Sequence, residues 1–587
     1  MSRTTFLWLF SLAFFLVFLA LQPLFSFALF GSDTGEYYRL TAVLLTTGHL
    51  PHGGAYLGWG AAYPDFPGIF LLSGAAAGAY GTDALTALIV VVPVVAVLSV
   101  FPLFLLFRRL FPQDTIALLA AAISSLAMPR LFSIAHPAPL SIGDFLVVAA
   151  LWMLVEGRRD LRWYVPLSLT SAALIVTHHL SSYFFVVSAL GGILLLELWK
   201  PGLWSRRYPT RELVFMAAFL TGLFVFWFYG TTTFVAKVIL AGVLIHVSTG
   251  VIFASFEAAG LVAVAFVGGL IALRRRFARS ARPWVRLPTD RSVMRDAILI
   301  AAAVFGGVVV VVFVPIPGTS QTTTLAAILF FAPILALSIF GAGSRRALTP
   351  SRMAPFSVTW LGALGLSALG WLIFSSYLAN ANVSQIVPAA RHVEYLFLPL
   401  GLLFAVGIGR LVARAGDRYG RRAIVVSSVA VVLLLGANAA IVYPPQNDFG
   451  GFQEGLTVQD AALWMWVGID VSSHAVVASD HRLSSMIFGF DGNPATWDST
   501  PALFTGSNWS AAASELRGSP APSLVQPVSY VAVDAVMYAG VALNPTGAAP
   551  PLSAAAIAWF MAAPFVLVYE NGQQAIYLVD ANYLPPT

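Results

Sequence analysis

Uncharged apolar stretches of about 20 residues recur along this 587-residue chain, and they constrain it more than any other feature. A bilayer core of ~30 Å takes about 20 apolar residues per helix. On that rule, spans are predicted near 5–30, 84–107, 114–133, 139–155, 163–180, 182–199, 212–229, 257–273, 297–315, 323–341, 356–378, 389–409 and 423–443. Only 10% of residues are charged and 59% are hydrophobic, so a water-facing surface cannot be assembled. The chain reads as a polytopic α-helical membrane protein of about 13 transmembrane helices. With no cysteine, disulfides, thiolate metal sites and cysteine nucleophiles are excluded.

Charge distribution orients the spans. With the N-terminus cytoplasmic and the sides alternating, 26 of the 32 basic residues fall on the inner side, among them the arginines from Arg274 to Arg295. That is the positive-inside pattern. Residues 231–252 are read as an external interfacial or re-entrant segment, because Lys237 and His246 suit lipid poorly. Residues 444–587 hold 11 acidic and 2 basic residues and are expected to form a small external α/β domain. Within it, FVLVY-ENGQQ-AIYLV is a hairpin signal turning at Asn571-Gly572. The expected division is 1–443, a membrane domain with a long first external loop (31–83), and 444–587, an extracytoplasmic domain. The basic residues lie in short loops without interleaved aromatics, which excludes nucleic acid as a partner. No nucleotide-phosphate motif occurs, so no nucleotide cofactor is expected.

The densest polar segment follows the first span: GSDTGEYYRLTAVLLTTGHLP. Asp33 and Glu36 lie next to the membrane, where ionised groups are costly unless they face a cavity or partner. Three residues apart on a helix, they share a face. Such a pair can hold a hard divalent cation, or one of them can act as general base. The plainer alternative is a capping aspartate beside a solvated glutamate. His136, in RLFSIAHPAPLSIGD, and the pair His178 and His179 fall on the same side. So do Asn380, Asn382 and Gln385, which precede Arg391, His392 and Glu394. Arg391 offers a guanidinium suited to a lipid-linked phosphate; its alternative is a snorkelling interfacial arginine. The His178–His179 pair suits contact with phosphate or sugar, or a purely structural role.

The loop resembles the first external loop of GT-C fold, polyprenyl-phosphate-dependent glycosyltransferases, above all the oligosaccharyltransferase catalytic subunit. There an aspartate precedes a Tyr-Arg-x-Thr run by five residues, and a glycine follows. Here Asp33 precedes Tyr38, Arg39 and Thr41, with Gly48 beyond. The continuation Tyr63-Pro64 to Gly68, then Gly81, is similar to the Tyr-Pro-Pro segment of protein mannosyltransferases. The resemblance implies an integral-membrane transferase moving a sugar or glycan from a polyprenyl-phosphate-linked donor to a glycan, lipid or protein acceptor at the outer face of the cell membrane. It implies Asp33 and Glu36 as catalytic residues and ligands of a divalent cation (Mg²⁺ or Mn²⁺). Tyr38, Arg39, His136, His178, His179 and Arg391 are the expected substrate contacts. Three features depart from the oligosaccharyltransferase pattern. His136 stands where a second carboxylate is expected, and PIPGTSQTTT lacks the family's glutamate. The Trp-Trp-Asp motif is missing, its nearest counterpart being Asp480-His481-Arg482. These point to an acceptor other than Asn-x-Ser/Thr. A lipid-linked glycan transporter or flippase, or a non-catalytic membrane assembly protein, is the competing reading.

Overall fold

A computed structural model describes residues 1–51, 62–200, 210–231, 321–343, 353–377, 391–442, 454–518, 526–543 and 550–584, with a few positions between them. Expected features at 231–252, 257–273 and 297–315, the arginine run 274–295, and Asn380, Asn382 and Gln385 lie outside these, isolated positions apart.

Among the described residues five helices are long and apolar enough to cross a membrane, or six if one bent pair is a single span. The chain is therefore a mostly helical polytopic protein, while the count of 13 extends beyond what is described. The first helix, Arg3–Leu21, shows what its environment demands. Leu9, Ala13, Leu16, Leu19 and Ala20 form one buried stripe. Phe6, Leu7, Trp8, Phe10, Phe14, Phe15 and Phe18 point outward and are exposed. An apolar patch of that extent suits lipid and not water. The centre of the helical part is Arg391–Tyr419, packed against Gln321–Ala342, Asp114–Leu126 and Ala354–Tyr377.

Two expected spans are corrected. The stretch 114–133 is not straight: Asp114–Leu126 and Met128–Ala135 meet at 67°. Pro129 has no N–H for the carbonyl four residues back and its ring crowds that carbonyl, so the helix breaks just ahead of it. The freed Met128 amide donates to Asn438 Oδ1 at 2.8 Å. The fifth span ends at Thr177, and His178 is extended. The two histidines thus straddle a junction: His178 caps the next helix by accepting the Ser181 amide at 3.2 Å, and His179 begins it.

The C-terminal residues fold as an α/β unit. Short β1 (Leu29–Phe30), directly after the first helices, pairs antiparallel with β2 (Gly455–Leu456). A four-stranded mixed sheet has the order β3 (Val476–Ala478), β4 (Val528–Asp534), β6 (Gln574–Val579), β5 (Phe565–Glu570). β5 and β6 are the expected hairpin, and Gly572 (φ 86°) supplies its left-handed turn residue. The helix Val458–Asp470 packs on this sheet. Buried Leu463, Val467, Val477, Val531 and Ile576 share one apolar core here.

Candidate active site

The loop helix Thr34–Thr47 starts immediately after β1, and Asp33 occupies its N-cap position. Asp33 makes no capping hydrogen bond, so the capping alternative does not hold. Its Oδ1 lies 2.8 Å from Nε2 of His481, contributed by the C-terminal domain. Its Oδ2 accepts hydrogen bonds from Tyr37 (3.2 Å) and Tyr63 (3.1 Å). The two phenol oxygens are themselves 3.2 Å apart. Glu36 is not solvated either: it is fully buried and its Oε1 accepts the Gly60 amide at 2.9 Å.

Local sequence explains why His481 arrives there. β3 ends at Ala478, and Asp480 caps the short helix His481–Met486 through the Leu483 amide (3.0 Å). The next residue, Arg482, is fully buried and paired with Asp534 and Asp480. With Arg482 turned into the domain, His481 faces the loop. Its other ring nitrogen, Nδ1, lies 3.3 Å from Asp498 Oδ1. Asp498 follows Trp497, whose φ of 54° is left-handed. A bulky residue pays of order 1–3 kcal/mol for that conformation, and the Ser484 hydroxyl holds it by accepting the Trp497 amide at 3.0 Å.

Two glycines permit the approach. A Cβ on Gly35 would collide with the Ser485 carbonyl, and one on Gly489 with the Gly35 carbonyl. We expect Gly489→Ala to cost about 1–3 kcal/mol through overpacking, read as faster amide exchange across Thr34–Thr47. Tyr38 stacks on Phe490 (centroids 4.5 Å apart) and the Arg39 guanidinium lies over Phe488 (5.2 Å). Both side chains therefore pack on the C-terminal domain.

Electrostatics follow from burial and partners. Burial pushes the Asp33 carboxyl up, but the His481 hydrogen bond and charge outweigh it and hold the pKa below its ordinary 3.8. Burial pushes His481 down, yet Asp33 and Asp498 raise it well above 6.5. Burial and the Asp33 charge keep Tyr37 and Tyr63 protonated. The stabilisation His481 gives is complete below pH 6.5 and is lost as pH rises through its raised value. That of Asp33 is complete above pH 3.8 and is lost as pH falls through its lowered value. Melting temperature is therefore expected to be highest between about pH 4 and 6.5, and His481→Gln should flatten the alkaline fall.

Around this centre lie the other expected residues. A Cβ on Gly31 would strike His136, whose Nε2 is 3.9 Å from Glu454 Oε2; Glu454 also accepts the Ser32 amide at 2.6 Å. The segment Arg130–Asp144 then leads away to a second polar group. There Arg130, fully buried, donates to Asp144 at 3.2 Å, and Glu394 lies within electrostatic reach of Asp144, Arg130 and Arg391. His178 Nδ1 lies 2.8 Å from Ser181 Oγ, and Ser181 Oγ lies 2.9 Å from the Tyr395 hydroxyl. The His179 ring stands 5.4 Å from Phe66 of the first loop, and Arg391 is exposed at its helix start. So Asp33 and His136 come together with Glu36 adjacent, while His178, His179 and Arg391 form a neighbouring set. Missed as site residues were His481, Asp498, Tyr37 and Tyr63. Asp480-His481-Arg482 was visible as a motif, but nothing in the linear chain joins it to Asp33, 448 residues away.

The divalent cation implied by the resemblance would have Asp33 and Glu36 as its ligands. Both Asp33 oxygens contact His481 or the tyrosines and Glu36 Oε1 accepts the Gly60 amide, and among the described residues no three His, Asp or Glu side chains form a group able to hold a metal ion.

No family model and no curated protein matches the sequence. Solved structures do match in fold. The oligosaccharyltransferase of Archaeoglobus fulgidus, tethered to an acceptor peptide containing the NVT sequon, superposes with a TM-score of 0.56 at 13% identity, covering 90% of this chain and 69% of that one. The same protein crystallised with Zn and sulfate gives 0.53 at 14%, covering 90% and 68%. Its form with an inhibitory peptide and a dolichol-phosphate, named AglB, gives 0.50 at 14%, covering 92% and 71%. Asp33 beneath a C-terminal α/β domain, on a polytopic helical base, is thus set in an architecture already seen in glycosyltransferases, and the chain has the GT-C fold.

Proposed function

We propose that this protein is an integral-membrane glycosyltransferase that moves a sugar or glycan from a polyprenyl-phosphate-linked donor to an acceptor hydroxyl. The observation that carries the reading is the meeting of Asp33 with His481: a carboxylate of the first loop held by the C-terminal domain, in a GT-C fold. The donor's lipid tail lies between helices and its phosphate meets Arg391, with His178 and His179 beside it. Arg391 donates two parallel hydrogen bonds to phosphate oxygens. The acceptor hydroxyl is oriented by Asp33. As the bond from sugar C1 to the phosphate oxygen breaks, charge builds on the sugar ring and on the leaving phosphate, and the arginine stabilises the latter. The acceptor oxygen bonds to C1 and its proton passes to Asp33. A carboxylate with a depressed pKa is a weak base, so the proton moves late, once the hydroxyl has been made acidic by bonding to C1. Tyr38 and Arg39 hold the loop helix against the C-terminal domain, and His136 closes the site beside Glu454. The site faces the outer side of the cell membrane, with the N-terminus cytoplasmic, as the distribution of basic residues indicates.

The test is transfer from radiolabelled polyprenyl-phosphate sugars, as mono- and diphosphates, by purified protein. Label appearing on a membrane-extract acceptor supports the reading. Label that only changes leaflet in vesicles, still on its lipid, makes the protein a flippase. Truncated surface glycans in a deletion strain would identify the acceptor class.

A further inference from the structure

We infer that His392 is a positioning residue for Arg391, held by a one-way hydrogen-bond chain that starts at Trp371 and runs through Tyr183 and Ser367. The inference rests on the glycosyl-transfer reading for the role of Arg391 and on side-chain geometry for the chain itself. Arg391 is the first residue of the helix Arg391–Tyr419. The first amides of a helix have no partner within it, so its opening turn is the part least held by its own backbone. The next residue, His392, is fully buried. Its Nε2 lies 2.8 Å from Ser367 Oγ, and Ser367 Oγ lies 2.5 Å from the Tyr183 hydroxyl. That hydroxyl accepts the Trp371 indole N–H at 2.9 Å. Phe184 stands edge-on to the His392 ring (centroids 4.9 Å apart) and stacks on Tyr395 (4.0 Å). Three helices, His179–Val186, Ala354–Tyr377 and Arg391–Tyr419, therefore meet at His392.

The direction of the chain follows from its far end. An indole N–H can only donate, so the Tyr183 oxygen accepts from Trp371, and among the described residues its own proton has Ser367 Oγ as its acceptor. The Ser367 proton then passes on to His392 Nε2. Nε2 is thus an acceptor, and the ring proton sits on Nδ1. Neighbouring residues of a helix leave its axis about 100° apart. Fixing His392 inward therefore sets the direction in which Arg391 points. Tyr183 belongs to the helix that His178 caps and His179 begins. The same chain so ties the arginine to the histidine pair that the proposed function places around one phosphate.

The test uses full-length purified protein in lipid nanodiscs. With ¹⁵N-labelled histidine, and the His392 signal identified by its loss in His392→Gln, solid-state NMR should show a neutral ring protonated on Nδ1. In Trp371→Phe, which removes the fixed donor at the opposite end of the chain, that signal should divide between two tautomers. A wild-type His392 protonated on Nε2, or a signal unmoved by Trp371→Phe, overturns the inference. Binding of a polyprenyl monophosphate, followed by native mass spectrometry, should weaken about tenfold in Ser367→Ala and in Tyr183→Phe, each of which breaks the chain, and recover in Ser367→Thr, which keeps the hydroxyl. Unchanged binding in both broken chains overturns the positioning role. Absence of binding in the wild type removes the donor reading instead, and amide exchange across Arg391–Tyr395 then decides. Exchange should quicken about tenfold in Ser367→Ala but not in Ser367→Thr, and unchanged exchange overturns the inference.

Discussion

Asp33→Asn is expected to lower the rate of sugar transfer by ~10²–10⁴, the range for loss of a positioned acid–base group. The amide can still accept from Tyr37 and Tyr63, so the loop helix keeps those two contacts. It loses the charge that answers His481 and the capacity to take the acceptor's proton. Tyr63→Phe is the companion variant. It removes one hydrogen bond to the Asp33 carboxylate, worth about 1.5 kcal/mol at the low end for a charged acceptor, so a loss of only about tenfold is expected. Both are read as turnover on a lipid-phosphosugar, with melting temperature measured alongside. Unchanged turnover in Asp33→Asn would remove Asp33 from the chemistry. Equal losses in the two variants would assign the site to packing.

Arg482→Met is expected to produce the largest loss of stability, about 3–5 kcal/mol, because it strands buried carboxylates. Arg482 donates to Asp534 and its Nε lies 3.5 Å from Asp480. Burial works against the Arg482 charge, but Asp534 and Asp480 raise its pKa above the ordinary guanidinium value. Asp480 is pushed up to about 6, by burial first and in spite of Arg482. Methionine fills much of the volume and offers no charge, so both aspartates must take up protons or draw in water. Asp480 caps the helix that presents His481, and Asp534 caps the turn after β4 through the Met537 amide at 2.9 Å. The C-terminal domain should therefore melt early and the Asp33 contact should loosen with it. Adding Asp534→Asn to Arg482→Met should recover part of the loss, which a double-mutant cycle would measure. A loss below about 1 kcal/mol would mean that water or another group already serves the pair.

The two variants probe opposite sides of one arrangement. Asp33 belongs to the proposed transfer site and is supported by tyrosines, whereas Arg482 is fully buried in the C-terminal domain and holds the backbone that delivers His481. Activity should collapse first in the former, and folding in the latter.

The membrane class, the loop carrying Asp33 and the β5–β6 hairpin were legible because each rests on local pattern: span length, a short motif, or a turn dipeptide between two apolar strands. The 67° break at Ala127 was legible in principle from Pro129, but hydropathy averages across it. The His178 junction was expected a few residues later, between spans ending at 180 and starting at 182, because hydropathy locates a helix boundary only to within a few residues. The capping role allowed for Asp33 failed because a local rule cannot know that a stronger partner waits elsewhere in the chain.

The amino-acid sequence alone determined that this chain is a multi-span helical protein with an acidic first loop and an acidic C-terminal domain, since apolar period and charge count are local quantities. Only the tertiary structure decided what Asp33 is for. Its partners Tyr63 and His481 lie 30 and 448 residues away, and the energy of a buried ion contact depends on three-dimensional distance and exclusion of water, neither of which is written along the chain.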